Sequence, residues 1–116
     1  MQVNKIIPLV TITEQKATDK ILQALERSGI RSAEITFRTE FAADAITFAV
    51  KNFPDMNVGA GTVINAEQCR QALDAGAKFI VSPGLSVSVA EICRKENILY
   101  FPGCVTPTEI MKALSL

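Results

Sequence analysis

Apolar and polar residues along this chain repeat at two periods, one of about two residues and one of three to four. Short apolar runs, typical of buried strands, begin near residues 6, 32, 57, 79 and 98. A segment with apolar residues at helical spacing follows each run, and after the first run these residues are Ala17, Ile21, Leu22 and Leu25. The pattern therefore predicts five β-α units and a parallel sheet with right-handed crossovers.

Turn and cap signals set the predicted boundaries. Gly29 and Gly76 stand where helices should end. Residues 65–68, 88–91 and 106–109 have the pattern of a capping box. Pro8 lies inside the first run, which predicts a bulge or a locally open ladder there. The predicted strands are 6–12, 32–40, 58–62, 78–82 and 98–101, and the predicted helices are 14–28, 41–50, 65–75, 88–95 and one that begins at 106.

The second predicted strand has one polar face. Period two places Glu34, Thr36 and Arg38 together, opposite an apolar face. Burying this row against a helix would cost several kcal/mol unless each group had a partner. Two explanations are open: the row lines a wet pocket, which the triple followed by a helix favours, or the strand lies at a sheet edge with one solvated face.

Five β-α units are compatible with two architectures. An open, doubly wound sheet covers both faces of its central strands with helices and leaves no place for the polar row. A (β/α)₈ TIM barrel has an interior face that opens into an active site at the carboxyl ends of the strands. We therefore predict the first five units of such a barrel, with residues 1–116 as the amino-terminal part of one incomplete barrel domain. A complete barrel takes about 200–250 residues.

Composition narrows the possible functions. The chain has 12 basic and 12 acidic residues and no basic block, so neither nucleic acid nor an anionic membrane is an expected partner. No apolar run approaches the ~20 residues of a spanning helix, and no export-signal pattern opens the chain. Three cysteines without metal spacing are typical of reduced thiols in a cytoplasm. The chain has no histidine, which removes the commonest general base and most zinc sites.

Four motifs in register resemble one enzyme family. They are AEITFRTEFAADAI at 33–46, VGAGTVIN at 58–65, FIVSPG at 79–84 and FPGCVTPTE at 101–109. Together they resemble the 2-keto-3-deoxy-6-phosphogluconate (KDPG) and 4-hydroxy-2-oxoglutarate (KHG) aldolases, over essentially the whole chain.

The resemblance implies a class I aldolase, an aldehyde-lyase. Members of that family form a Schiff base between a lysine and pyruvate. They cleave KDPG to pyruvate and glyceraldehyde 3-phosphate, or KHG to pyruvate and glyoxylate. They need no metal or other cofactor and are commonly homotrimers. The implied partner of this chain is a small keto acid.

The resemblance also assigns roles to single residues. Glu34 matches the family's proton-shuttling glutamate, Arg38 and Thr62 match residues that hold the pyruvate carboxylate, and Pro83 matches a proline that lines the same pocket. The family's Schiff-base lysine lies on strand six, in a segment resembling KFFPA that would begin a few residues past Leu116. None of the lysines in this chain is an expected substitute, so we expect residues 1–116 alone to be inactive.

The residues alone leave alternatives open. Glu34 could form a structural ion pair with Arg38, Arg38 could pair with Glu40, and Thr62 could cap a helix. The glycines at 59 and 61 would permit a ligand to approach the backbone closely, but a tight turn is the preferred explanation unless a ligand is seen. The whole chain could be a non-catalytic α/β module or half-barrel that binds a small carboxylate or phosphate. Neither the preferred substrate nor the oligomeric state follows from the sequence.

Overall fold

Five β-α units form a single parallel sheet with helices. The structure, a computed structural model, describes residues 5–116; residues 1–4, part of the stretch without an export-signal pattern, lie outside the described residues. The strands are β1 (Leu9–Val10), β2 (Ser32–Thr36), β3 (Asn57–Gly61), β4 (Phe79–Ser82) and β5 (Leu99–Pro102). The helices are α1 (Ala17–Arg27), α2 (Ala42–Asn52), α3 (Ala66–Asp74), α4 (Val87–Lys95) and α5 (Pro107–Leu114).

The strand order decides between the two predicted architectures. The strands lie in the order β1-β2-β3-β4-β5, and each pairs in parallel with the next. In a doubly wound sheet the order in which successive strands are added reverses at a switch point, and these five strands show no such reversal. Right-handed crossovers that always lead to the next strand in the same direction place every helix on the same side of the sheet. The helices therefore cover one face only. The barrel-type order is confirmed, and β2 is an inner strand, so the edge-strand explanation of its polar face is wrong.

The core lies between the sheet and its helices. Every second strand residue points toward the helices and is buried, and these residues are Val10, Ala33, Ile35, Val58, Ala60 and Ile80. The helices contribute small and aliphatic side chains to the same cluster, among them Leu22, Ala45, Ile46, Ala49, Cys69, Ala72, Val89 and Cys93. Small residues let the helices approach the strands closely, and this packing fixes which strand residues point the other way.

The opposite face of the sheet carries the polar row and is not covered by helices. The strand register places Leu9, Glu34 and Gly59 side by side. Phe79 and Leu99 continue the row on β4 and β5. Leu9 is 56% exposed and Leu99 is 45% exposed, because no helix covers this side. We refer to the sheet with its five helices as the half-barrel and to this side as its inner face.

Two predicted strands are shorter in the structure. β2 ends at Thr36, not at residue 40, so Arg38 lies in the turn after the strand. β1 covers only Leu9–Val10 of the predicted 6–12. Pro8 has no N–H to donate, although its carbonyl accepts a hydrogen bond from the Glu34 N–H. The locally open ladder expected at Pro8 is therefore what the structure shows.

Two of the three predicted helix starts are confirmed. The Asn65 side chain accepts from the Gln68 N–H, and Thr106 and Glu109 form a full capping box with Pro107 at the first helical position. The box predicted at 88–91 is wrong. α4 begins earlier, at Val87, because the Ser86 hydroxyl accepts from the Val89 N–H.

Candidate functional site

The four residues singled out from the sequence lie at or near the carboxyl ends of neighbouring strands. Glu34 is on β2, Arg38 is in the turn after it, Thr62 directly follows β3, and Pro83 directly follows β4. Parallel strands bring these ends to the same edge of the sheet. The fold therefore gathers at one rim a carboxylate, a guanidinium, a hydroxyl and a rigid turn.

Glu34 is a buried acid without a structural partner. Its side chain is on the inner face and only 8% exposed. Within residues 5–116 its carboxylate has neither a hydrogen bond nor an ion pair, so the alternative of a structural ion pair with Arg38 is wrong. Burial raises the pKa of Glu34, and the Arg38 charge offsets part of this rise. A desolvated, unpaired carboxylate is typical of a proton-transfer group.

Glycine on β3 makes room for this carboxylate. Gly61 lies two residues beyond Gly59, the residue paired with Glu34, and the Glu34 side chain runs across it. A Cβ atom at Gly61 would meet Glu34 Oε1 and lie 2.5 Å from its Cδ. A Cβ atom at Gly59 would lie 2.6 Å from Cγ of Phe79. Both glycines let side chains cross the sheet surface, so the sequence explanation of a tight turn misses their main role.

A pair of threonines lies beside the same carboxylate. Thr36 is fully buried on the inner face, and its hydroxyl is 2.8 Å from that of Thr11, just past β1. One hydroxyl proton joins the two oxygens, and the other has no partner within the described residues. The pair can therefore offer one donor to a ligand on this face. The period-two pattern of the sequence placed Thr36 on this face. It did not indicate Thr11, because the contact between the two threonines depends on the strand register.

Arg38 supplies positive charge at the rim. It is exposed in the turn after β2, and its charge acts on Glu34 across a distance too long for an ion pair. It forms no ion pair with Glu40 either, so that alternative is also wrong for the described residues. A guanidinium without a partner can take a carboxylate through two parallel hydrogen bonds. The arrangement suits an acid substrate placed between Arg38 and Glu34.

Thr62 has a backbone conformation that costs energy. Its φ is +57°, in the left-handed region that a β-branched residue rarely adopts. It is not a helix cap, since Asn65 caps α3. Strained conformations of this kind cluster where a side chain must be aimed at a ligand. Here the conformation turns the chain at the end of β3 beside Gly61.

Pro83 is held by a close contact between two turns. The Gly103 N–H donates to the Ser82 carbonyl at 2.9 Å, and a Cβ atom at Gly103 would lie 2.9 Å from the Pro83 carbonyl carbon. The Pro-Gly turns that close β4 and β5 are therefore packed on each other. This contact fixes the exposed Pro83 ring at the rim.

The described residues hold no obvious amine nucleophile at this rim. Lys78 lies at the amino end of β4, where its Nζ donates to the Met56 carbonyl at 3.1 Å. The other lysines precede β1 or lie on helices or beside them. In residues 5–116 no group of three or more His, Cys, Asp or Glu residues could hold a metal ion. None of the helices in that range is long and apolar enough to cross a membrane.

Comparison with known families shows the family of the chain. The family model for KDPG and KHG aldolase matches residues 1–116. The chain belongs to the KDPG and KHG aldolase family. Among curated relatives, the 2-dehydro-3-deoxy-phosphogluconate aldolase of Treponema pallidum is 41% identical, with 95% of this chain and 52% of the relative covered. The KHG/KDPG aldolase of Escherichia coli K12 is 36% identical, with coverages of 91% and 50%.

A solved structure of the family has the same backbone. The KDPG aldolase of Legionella pneumophila, crystallised with pyruvate captured at low pH as a covalent carbinolamine intermediate, superposes with a TM-score of 0.90 at 35% identity. The match covers 94% of this chain and 53% of that one. This chain therefore has a TIM-barrel-type fold and spans about half the length of the aldolases it matches.

Proposed function

We propose that residues 1–116 are the amino-terminal half of a class I aldolase barrel that cleaves KDPG, KHG or both to pyruvate and an aldehyde. The buried, unpaired carboxylate of Glu34 carries this proposal. Aldol cleavage through an imine needs several proton transfers at neighbouring atoms, and a carboxyl with a raised pKa is suited to them. A covalent pyruvate adduct has a precedent in the related KDPG aldolase of Legionella pneumophila, which was crystallised with pyruvate as a covalent carbinolamine intermediate.

Each rim residue then has a chemical role. Arg38 and the Thr62 hydroxyl bind the carboxylate of the keto acid and orient it, while Pro83 bounds the pocket on the next strand. Glu34 gives a proton to the departing hydroxyl during imine formation, takes the proton from the hydroxyl at the cleaved C–C bond, and returns it to the enamine carbon. These steps require a neutral amine on the partner half of the barrel. The Schiff-base lysine is expected there because no lysine of the described residues reaches the rim.

Open surfaces support the idea of a half-barrel. Phe101 on the inner face is 41% exposed. On α5, which has no buried residue, Met111 is 70% exposed and Leu114 is 83% exposed. Further β-α units, completing a cytoplasmic homotrimeric enzyme of the kind implied by the family, would cover the inner face and β5. We therefore expect the isolated 116-residue chain to be inactive.

A non-catalytic role is the second candidate. A free guanidinium and a strained threonine at one rim could bind a small carboxylate without any reaction. This candidate leaves the desolvation of Glu34 without a use, because an unpaired acid beside an anion site weakens anion binding. The observation that separates the two candidates is therefore whether Glu34 helps or hinders ligand binding.

A chimera tests the proposal directly. In it, this chain replaces the segment that it matches in the Treponema pallidum aldolase. With pyruvate and borohydride, the chimera should gain the mass of a reduced pyruvate adduct and should release pyruvate from KDPG or KHG, whereas the isolated chain should do neither. A chimera that is folded by circular dichroism but forms no adduct would favour the binding role. The parental aldolase, carried through the same steps, is the control.

A further inference from the structure

Two cysteines outside the proposed site lie side by side on the buried faces of neighbouring helices. Cys69 is on α3 and Cys93 is on the next helix, α4. Their sulfur atoms are 3.9 Å apart, and both side chains are buried, with at most 1% exposure. The third cysteine, Cys104, lies after β5 and contacts the Glu109 carbonyl instead. The fold therefore pairs two specific thiols out of three.

The separation of the two sulfurs is close to that needed for a bond. A disulfide has a sulfur–sulfur distance of about 2.05 Å, so the atoms must approach by about 2 Å, which side-chain rotation and a small helix shift can supply. α3 and α4 are neighbours, and side-chain caps fix both of their starts. The pair is therefore held in register for closure.

Two grooves border one of the two buried cysteines. Cys93 lines an apolar groove of about 370 Å³ between α4, β5 and the end of α5, whose walls include Ile98, Tyr100 and Leu114. Cys93 also lines a second groove of about 310 Å³. If α4 moved away from α3 along these grooves, both thiols would become exposed together.

We propose that Cys69 and Cys93 form a reversible disulfide with a small disulfide oxidant, such as oxidised glutathione, and that this bond joins α3 to α4. The thiolate of one cysteine attacks the oxidant, which forms a mixed disulfide and releases one glutathione thiolate. The second cysteine then attacks the protein sulfur of the mixed disulfide and releases the second glutathione. Both thiol protons end on the two glutathione molecules, and the two electrons lost by the protein reduce the oxidant.

The surroundings of both thiols disfavour the thiolate form that must attack. Burial raises the pKa of both thiols, that of Cys93 to about 12. Either sulfur can donate the S–H in the hydrogen bond between the two cysteines, and the Arg70 charge favours the Cys69 thiolate. The raised pKa values make closure slow in the folded chain.

Peptide mapping of the full chain tests this proposal. The chain is incubated with oxidised glutathione, free thiols are alkylated, and trypsin then cuts after Arg70, Lys78 and Arg94, which puts each cysteine on its own peptide. We expect a Cys69–Cys93 cross-link, a mass lower by two hydrogen atoms relative to the reduced chain, and a higher Tm that a reductant reverses. Cys104 should remain alkylatable or carry glutathione.

Matched controls separate the fold from simple chain proximity. Cys69→Ser and Cys93→Ser should each abolish the cross-link. In denaturant the shorter loop between Cys93 and Cys104 should make that pair dominate, since loop closure favours it. Three outcomes would overturn the proposal: both buried thiols stay free while Cys104 reacts, glutathione stays on Cys69 or Cys93 without closure, or the native chain gives the same mixture of pairs as the denatured one.

Discussion

Replacing Gly61 with alanine should displace the Glu34 carboxyl group and so reduce activity, although Glu34 itself is unchanged. A Cβ atom at position 61 would lie 2.5 Å from Cδ and 2.6 Å from Cγ of Glu34, whereas ordinary contacts begin near 3.4 Å. The carboxyl group must therefore move by about 1 Å, and a misplacement of that size costs a catalytic group about 100-fold in rate. That loss corresponds to about 2.7 kcal/mol of activation free energy.

The same crowding has a stability cost. Inserting a methyl group into a filled space destabilises a protein by about 1–3 kcal/mol. The assay is carried out on the chimera with the Treponema pallidum partner half: kcat for pyruvate release and Tm, for Gly61→Ala, Glu34→Ala and the double variant. Gly84→Ala is the matched stability control, because a Cβ atom there meets nothing within 4 Å.

The double variant tests whether Gly61 acts through Glu34. Glu34→Ala removes the atoms that a Cβ at Gly61 would meet, so adding Gly61→Ala should cost no further activity and little further stability. Full activity in Gly61→Ala would refute the reasoning. Losses that add in the double variant would show that Gly61 acts through the backbone and not through the carboxylate.

Four further predictions follow from backbone strain, charge and helix capping. Thr62→Gly should raise stability by about 1 kcal/mol by relieving its positive φ, yet weaken keto-acid binding in the chimera, whereas Asn97→Gly, at φ +56°, should change only stability. Because burial raises the pKa of Glu34, its charged form destabilises the fold: Glu34→Gln should raise the Tm at neutral pH, and the gain should vanish below the ordinary pKa of about 4.3. Thr106→Ala should cost about 1 kcal/mol through the lost cap. Since hydrogen bonds from Thr106 and Val105 lower the pKa of Glu109, its contribution to stability should be lost as pH falls through that lowered value, measured against Glu109→Gln in thermal melts at several pH values.

Much of the fold follows from patterns that are local in sequence. Gly29 and Gly76 adopt the positive φ expected of residues just past a helix, and Thr106 forms the expected capping box. The error at α4 arose because both Ser86 and Ser88 can cap, and the periodic pattern does not choose between them. The shortened β1 reflects Pro8, whose effect on the ladder was foreseen but not its extent.

The site was predictable in residue type but not in geometry. The period-two row located Glu34 and Thr36 on one face, yet it also placed Arg38 on the strand, where the structure has a turn. Sequence could not tell an ion pair from a free acid, because that depends on where the chain turns after Thr36. The contacts of Gly61 and the Thr11–Thr36 hydroxyl pair depend on strand register, which single-sequence patterns do not encode.

The central claim, that Glu34 transfers protons to and from bound pyruvate, has a direct test. The exchange of pyruvate methyl protons for deuterium in D₂O is followed by proton NMR, for the chimera and for its Glu34→Gln variant. We predict that the variant still forms some borohydride-trapped pyruvate adduct but exchanges methyl protons about 10²–10⁴ times more slowly. Exchange at the rate of the unsubstituted chimera would contradict the account, and the role of Glu34 would then be limited to shaping the pocket.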